Sequence, residues 1–203
     1  LQRGLQVYLE VCAACHSTRQ LAFRHLQGSA ALGFSDAEVR ALAAQFTIED
    51  GPDDVGEMFM RPRLPSDRFP DPFPNEQAAR FANSGALPPD LSLITKAREH
   101  GPDYVYAFLR GFIDPPADVD LRPGMFYNRY FPGHQLAMPD VLFDGGVDYA
   151  DGTDPTAAQQ AWDLTAFLSW AAEPTMETRK ATGIRVVLFL IVFAGILFVA
   201  KRK

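Results

Sequence analysis

Apolar residues near the start of the chain recur at the spacing of one helix face. They are Leu5, Val7, Tyr8, Val11 and Cys12. A stripe with this period predicts an amphipathic helix. That helix would lead directly into the segment 12–16.

Capping residues predict two more helices in the first half of the chain. Ser35 and Glu38 have the spacing of a capping box, so we expect a helix that continues to about Phe46. Asn75 is placed to cap a short helix over residues 76–82.

The next predicted helices lie close together. Asp90 is expected to cap a helix over residues 91–99, which stops at Gly101. Pro102 suits the first turn of the helix that follows.

A longer helix is predicted over residues 156–172, with Asp154 and Pro155 as its expected cap. Its large apolar side chains are expected in the core: Trp162, Phe167, Leu168 and Trp170.

Two long segments follow neither a helix nor a strand period. Residues 61–74 contain five prolines, which exclude a helix and a central strand. We expect an ordered loop there, because Phe69 and Phe73 need burial. Residues 114–152 are too long for an ordinary connection, and their six aromatic residues argue against disorder.

Charge is distributed unevenly along the chain. Residues 1–180 carry all 25 acidic residues and a net charge of −10, so we expect no nucleic-acid partner. Five acids lie within residues 49–57. A solvated loop is the simpler interpretation of that cluster, and a docking patch for a basic partner is the alternative.

The C-terminal region is apolar and basic. Residues 186–200 form an unbroken apolar run that ends in Lys201, Arg202 and Lys203. A buried core helix is one interpretation. A membrane anchor suits the terminal cations better, with flanking basic side chains making up the length of a full span. We therefore expect one domain over residues 1–178 and an anchor over residues 179–203.

The segment 12–16 has the Cys-x-x-Cys-His pattern of covalent haem attachment. The sulfurs of Cys12 and Cys15 can each form a thioether to a haem vinyl group, and His16 can supply the proximal iron ligand. This chemistry takes place on the oxidising side of a membrane. No signal peptide begins the sequence, so we expect a mature chain. Leu1 is an unusual first residue, so we also expect that some N-terminal residues precede it.

Other uses of the two cysteines are less well supported. A thioredoxin-like dithiol follows a strand, whereas the preceding residues here are helix-like. A zinc knuckle needs two more ligands at metal spacing, yet the sequence has no third cysteine and its other histidines are isolated. A disulfide across two residues would be strained.

A second axial ligand is expected from the long segment 114–152. Met138 on a stiff, aromatic-rich loop suits the role. The alternatives are Met58, Met60, Met125 and His134.

Several motifs together resemble the cytochrome c1 family, the haem subunits of cytochrome bc1 (quinol–cytochrome c reductase) complexes. The resemblance covers nearly the whole chain and is carried by residues 11–17, 85–92, 127–133 and 170–174. It implies a mainly α c-type cytochrome domain with long ordered loops and one C-terminal transmembrane helix.

The resemblance also implies the residues of the cofactor site. One haem c would be held by Cys12 and Cys15, with His16 and Met138 as axial ligands. Arg98 and Tyr104 would meet the haem propionates. The haem crevice would be lined by Asn83, Pro88 and Pro89.

The implied function is electron relay, with no bond of a substrate broken at this subunit. The family accepts an electron from the Rieske iron–sulfur protein and passes it to a c-type cytochrome, beside cytochrome b in a dimeric membrane complex. The haem domain would face a bacterial periplasm or a mitochondrial intermembrane space. Two other interpretations stay open: a stand-alone membrane-anchored c-type carrier, and a haem-based gas or redox sensor.

Overall fold

A computed structural model describes residues 1–28 and 31–202, and it is mainly helical. The α-helices are α1 (Gln2–Val7), α2 (Asp36–Ala43), α3 (Glu76–Ala82), α4 (Ile94–Ala97), α5 (Gly101–Leu109), α6 (Ala157–Ala171) and α7 (Met176–Lys201). The strands are β1 (Thr47–Asp50), β2 (Phe59–Pro62), β3 (Phe126–Tyr127) and β4 (Gln135–Leu136). The chain divides into two compact units, Leu1–Ala172 and residues 173–203.

The first unit is built around the packing of α1 on α6. Gly4 makes this close approach possible, since a Cβ there would collide with the Asp163 carbonyl and the Cβ of Phe167. The buried apolar side chains of the two helices form the centre of the core: Leu5, Val7, Leu164, Phe167 and Leu168. The predicted N-terminal helix is therefore confirmed. Its last turn, Tyr8–Cys12, is a π-helix, a variant common at functional sites.

The predicted caps of α2 and α3 are confirmed. Ser35 and Glu38 form the reciprocal capping box, and α2 ends three residues before the expected Phe46. The side chain of Asn75 accepts the backbone N–H of Ala78, and α3 has the predicted bounds.

The predicted helix over residues 91–99 is wrong in length and in its cap. Only Ile94–Ala97 are helical, and Leu93 stands at the cap position. The Asp90 carboxylate is instead bonded to residues far away in the sequence, as described below. Helix α5 begins at Gly101. Pro102 lies in its first turn, as predicted.

Residues 51–57 of the acidic segment form the exposed loop that the simpler interpretation expected, and this loop joins the two strands of an antiparallel hairpin. Glu49 and Asp50 differ from that expectation, because they end β1. Strand β1 pairs with β2, with Glu49 opposite Met60 and Asp50 opposite Phe59. Arg61 holds the base of the hairpin through ion pairs with Asp50 and with Asp67.

The proline-rich segment 61–74 wraps the core after its first two residues finish β2. Phe69 is buried and its ring stacks on Phe23, with centroids 4.3 Å apart. Phe73 is half-buried. The expected ordered loop is confirmed. Pro62 is compatible with β2, because a strand at the edge of a sheet tolerates proline.

Residues 114–152 form an ordered, mostly irregular segment around the short β3–β4 ladder. Helix α6 follows it with Thr156 as the N-cap, in place of the expected Asp154 and Pro155. The prediction that Trp162 lies in the core is wrong, because its side chain is 64% exposed beside Tyr106.

Helix α7 is long and apolar enough to cross a membrane. It begins at Met176, so the expected boundary after residue 178 falls within its first turn. The 26 residues of α7 exceed the roughly 20 that a span requires. Among the predicted terminal cations, Lys203 lies outside the described residues.

Candidate haem site

The Cys-x-x-Cys-His segment forms a tight turn at the end of the N-terminal helix. The backbone N–H groups of Cys15 and His16 both donate to the carbonyl of Cys12, at 3.1 and 2.9 Å. The N–H of Ala13 closes the preceding π-turn on the carbonyl of Tyr8 at 2.7 Å. The core helix thus fixes the start of the motif.

The ring of His16 is oriented by a carbonyl from a distant segment. Its Nδ1 lies 2.8 Å from the carbonyl oxygen of Pro89. A carbonyl only accepts hydrogen bonds, so Nδ1 carries the proton and Nε2 keeps a lone pair. Burial lowers the pKa of His16, so the ring is neutral at pH 7. A neutral imidazole with this tautomer is the form that ligates iron.

Asp90 ties the segment 88–90 to the residues that follow the motif. Its carboxylate accepts from the Ser17 hydroxyl at 2.7 Å and from the Arg19 N–H at 2.8 Å. It also accepts from the N–H of Ser92 at 2.9 Å. Burial opposes ionisation of Asp90, but these hydrogen bonds outweigh it and lower its pKa. Pro89 is therefore held at a fixed position next to His16.

Tyr8 supports the motif from inside the core, a role that its place in an apolar stripe did not reveal. Its hydroxyl donates to the carbonyl of His16 at 3.1 Å and accepts from the hydroxyl of Thr18 at 2.9 Å. Tyr8 and Thr18 are both buried. The backbone of His16 is thereby fixed as well as its ring.

Both cysteines are free thiols. Cys12 is buried, and burial raises the pKa of its thiol to about 12, whereas Cys15 is half-buried. In residues 1–28 and 31–202, no group of three or more His, Cys, Asp and Glu is placed to hold a metal ion. Two free thiols beside an imidazole with an available Nε2 fit a covalently held haem, and they do not fit a zinc knuckle.

Two further predicted residues lie at one cleft. Pro89 and Arg98 both line a cleft of about 400 Å³, together with Ile94 of α4. Arg98 is exposed, so its guanidinium is available to an anionic group. Tyr104 is half-buried on α5 and packs against the core.

The other predicted lining residues are less closely tied to His16. Pro88 is half-buried beside Pro89. Asn83 ends α3, and its side-chain amide donates to the carbonyl of Ala79 at 2.7 Å. No contact in the described residues brings Asn83 to His16.

The candidates for the second axial ligand differ in their surroundings. Met138 is half-buried and packs against the core. Met58 and Met60 are 55% and 63% exposed on the β1–β2 hairpin. Met125 is half-buried, and the Nδ1 of His134 is engaged with the carbonyl of Asn128 at 3.1 Å.

Comparison with known proteins yields one family. Residues 1–203 match the model of the Cytochrome C1 family. The chain is 51% identical to a cytochrome b/c1 of Bradyrhizobium diazoefficiens, which covers all of this chain and 32% of that protein. It is 55% identical to a mitochondrial cytochrome c1 heme protein of Solanum tuberosum, over 94% of this chain and 72% of that protein.

A yeast relative extends the comparison. The chain is 52% identical to the mitochondrial cytochrome c1 heme protein of Saccharomyces cerevisiae, over 94% of this chain and 61% of that protein. The chain thus spans between about a third and three quarters of the length of these relatives. The match over every residue, together with the Cys-x-x-Cys-His turn and the oriented His16, shows that the chain belongs to the cytochrome c1 family.

Proposed function

We propose that this chain is the haem-bearing electron-transfer subunit of a cytochrome bc1 complex. The observation that carries the proposal is the oriented ring of His16, whose Nδ1 is engaged by Pro89 at 2.8 Å and whose Nε2 is left for iron. Membership of the cytochrome c1 family supports it. Cys12 and Cys15 would hold one haem c through thioethers, with His16 and Met138 as axial ligands.

When bound, the haem supplies a one-electron redox couple. The chain's own residues would set its potential. The hydrogen bond from His16 to Pro89 makes the imidazole a better electron donor and keeps its plane fixed. The thioether of Met138, as a second ligand, would favour ferrous iron and raise the potential. Arg98 would offset the negative charge of a propionate, and Tyr104 would donate a hydrogen bond to it.

The electron would come from the Rieske iron–sulfur protein and leave to a c-type cytochrome. Cytochrome b would complete the membrane complex, which we expect to be dimeric. One relative is named as a cytochrome b/c1, and this chain covers only 32% of it. That relative supports an association of this chain with a cytochrome b.

The haem domain would lie outside the membrane, with α7 as its anchor. Attachment of haem to Cys12 and Cys15 requires the oxidising side of a membrane, which favours the periplasmic face of a bacterial plasma membrane. The intermembrane space of mitochondria satisfies the same requirement. The terminal cations would then remain on the opposite side.

Purification from native membranes tests the proposal. A tagged chain solubilised in mild detergent should elute with a b-type cytochrome and an iron–sulfur protein, and the preparation should reduce a c-type cytochrome with quinol. Elution as a single haem protein without those subunits would favour the stand-alone carrier. Elution without covalent haem would refute both.

A further inference from the structure

Asn128 is completely buried, although its side chain is a polar amide. Its Nδ2 donates to the carbonyl of Phe108 in the last turn of α5, at 2.8 Å. Its Oδ1 accepts from the backbone N–H groups of Tyr130 and Phe131, at 2.9 and 3.2 Å. If the amide moved, the carbonyl of Phe108 and the N–H groups of Tyr130 and Phe131 would all lose this partner. Asn128 therefore ties the loop firmly to α5.

The backbone of Asn128 closes the turn that leads towards Met138. Its N–H donates to the carbonyl of His134 at 2.9 Å, and its own carbonyl accepts from Nδ1 of the His134 ring at 3.1 Å. Strand β4 follows at Gln135, and Met138 lies two residues beyond the end of that strand. Met138 therefore lies only a few residues after a turn that hydrogen bonds hold closed.

Gly111 shows how closely the loop and the end of α5 fit together. A Cβ at Gly111 would lie 2.6 Å from Oδ1 of Asn128 and 2.7 Å from the ring of Tyr130. The carbonyl of Gly111 also accepts the N–H of Arg129 at 2.8 Å. The contact leaves no room for the loop to shift towards α5.

We propose that Asn128 is a positioning residue for Met138, an inference that rests on the proposed role of Met138 as an axial ligand. Residues 114–152 contain little regular structure. The position of a ligating side chain in this segment therefore depends on the points at which the segment is fixed to the rest of the fold. Asn128 provides such a point by joining the β3–β4 turn to the end of α5. A ligand on a loop that samples other positions binds more weakly, in proportion to the fraction of time spent in the competent position.

The test is the variant Asn128→Ala in the full-length haem-loaded chain. Two measurements report the methionine–iron bond: the weak far-red absorption band of the ferric protein, and binding of carbon monoxide to the ferrous protein. We expect the band to be reduced and the affinity for carbon monoxide to rise about tenfold, because the sixth position is open more often. A variant with the wild-type band and affinity would overturn the inference.

Asn75→Ala is the matched control. It removes another asparagine side chain that accepts a backbone N–H, that of Ala78 at 2.8 Å, but at the exposed start of α3. We expect a loss of stability with an unchanged band and unchanged carbon monoxide binding. An equal response in both variants would mean that general destabilisation, not positioning, explains the effect of Asn128, and would overturn the inference.

Gly111→Ala keeps the test decisive if Asn128→Ala does not take up haem. The added methyl group pushes on Oδ1 of Asn128 without removing any hydrogen-bonding group, so carbon monoxide binding should again become tighter. Wild-type binding in Gly111→Ala would overturn the inference in that case. If the wild-type protein itself lacks the far-red band, the proposed role of Met138 as a ligand is contradicted. This result differs from those that would overturn the role of Asn128, so the two hypotheses fail in distinguishable ways.

Discussion

The Nδ1 atom of His16 lies 2.8 Å from the carbonyl oxygen of Pro89, although 73 residues separate them in the sequence. The bond sets the tautomer and the plane of the ring at once. Pro89 is fixed in turn by the hydrogen bonds of its neighbour Asp90 with Ser17 and Arg19. The haem-binding motif and the segment 88–90 are thus held together by hydrogen bonds. This geometry supports the proposed electron relay.

Replacement of Met138 by leucine should lower the midpoint potential and abolish the far-red band. Loss of the thioether removes its preference for ferrous iron, so the potential should fall by on the order of 100 mV, since axial ligands set haem potentials over about 0.8 V. A redox titration followed by absorption measures the change. Met60→Leu is the control, because Met60 is 63% exposed on the β1–β2 hairpin. A wild-type potential in Met138→Leu would sink the assignment, and Met125 or His134 would be the next candidates.

Arg3→Met should lower the free energy of unfolding by about 2–3 kcal/mol, because it leaves the carboxylate of Asp163 buried without its charged donor. Arg3 donates to Asp163 through Nε at 2.8 Å and to Asp151 at 2.7 Å. Urea unfolding followed by circular dichroism gives the change. Arg40→Met is the control: it breaks an exposed pair with Asp36, and its cost should stay below about 0.5 kcal/mol. Equal costs for the two variants would contradict the account.

The same cluster predicts a pH dependence. Bonds from Thr153 and then Arg3 lower the pKa of Asp151 to about 2. Burial opposes ionisation of Asp163, yet the bonds from Arg3 and Gln159 and the charge of Arg3 together outweigh it and lower its pKa too. Carboxylates with lowered pKa values stabilise the fold above the ordinary aspartate pKa of about 3.9 and lose that contribution as the pH falls. The stabilities of the wild type and Arg3→Met should therefore converge between pH 4 and about 2; a constant difference would exclude this mechanism.

Removal of the anchor should leave the haem site intact. The first compact unit ends at Ala172, and α7 starts at Met176. A chain truncated after Ala172 and exported to the periplasm should be soluble, carry covalent haem and show the wild-type spectrum. A second truncation after residue 182 keeps the first turns of α7 and serves as the comparison. Failure of both to load haem would mean that α7 takes part in forming the site.

The acidic surface should accelerate encounter with a basic electron acceptor. The net charge of −10 over residues 1–180 can raise association rates by about 10–1000-fold at low salt. Two groups of carboxylates are candidates, one on the hairpin and one that follows Met138 in the sequence. We prefer the second, since an electron must leave close to the haem. Members suitable for neutralisation are Glu49, Asp54 and Glu57 in the first group, and Asp140 and Asp148 in the second.

The choice of variants follows the hydrogen bonds. Asp50 pairs with Arg61, Asp53 accepts N–H groups of its own turn, and Asp144 accepts the N–H of Ala157 at 2.7 Å, so these three stay unchanged. Asp140 accepts one longer bond, from the N–H of Leu142 at 3.3 Å, and asparagine keeps the oxygen that accepts it. Each group is converted to Asn or Gln, and reduction of cytochrome c is followed against ionic strength. A slower rate at low salt with a flatter salt dependence is expected for the second group. If neither group alters the rate or its salt slope, the steering proposal fails.

Local patterns predicted the parts of the fold that local interactions determine. The Ser35–Glu38 box and the Asn75 cap are contacts within three residues, and both helices begin where expected. Asp90 was assigned wrongly because its partners Ser17 and Arg19 are more than 70 residues away. Trp162 has the apolar character of a core residue, but it lies on the solvent face of α6.

The site shows the same division. The two cysteines and His16 were predictable from a five-residue motif, whereas Pro89 was predicted only from the family resemblance. Tyr8 and Asn128 had no local signature of a supporting role, since each acts through hydrogen bonds that exist only in the folded chain.

Electron flow through the haem is the direct test of the proposed electron relay. The complex purified with this chain is mixed rapidly with quinol, and absorption in the α band of haem c is followed before and after addition of an oxidised c-type cytochrome. We expect reduction of this haem by quinol, and then its reoxidation as the added cytochrome becomes reduced. A haem c that quinol leaves oxidised, or that stays reduced in the presence of the oxidised cytochrome, would contradict it.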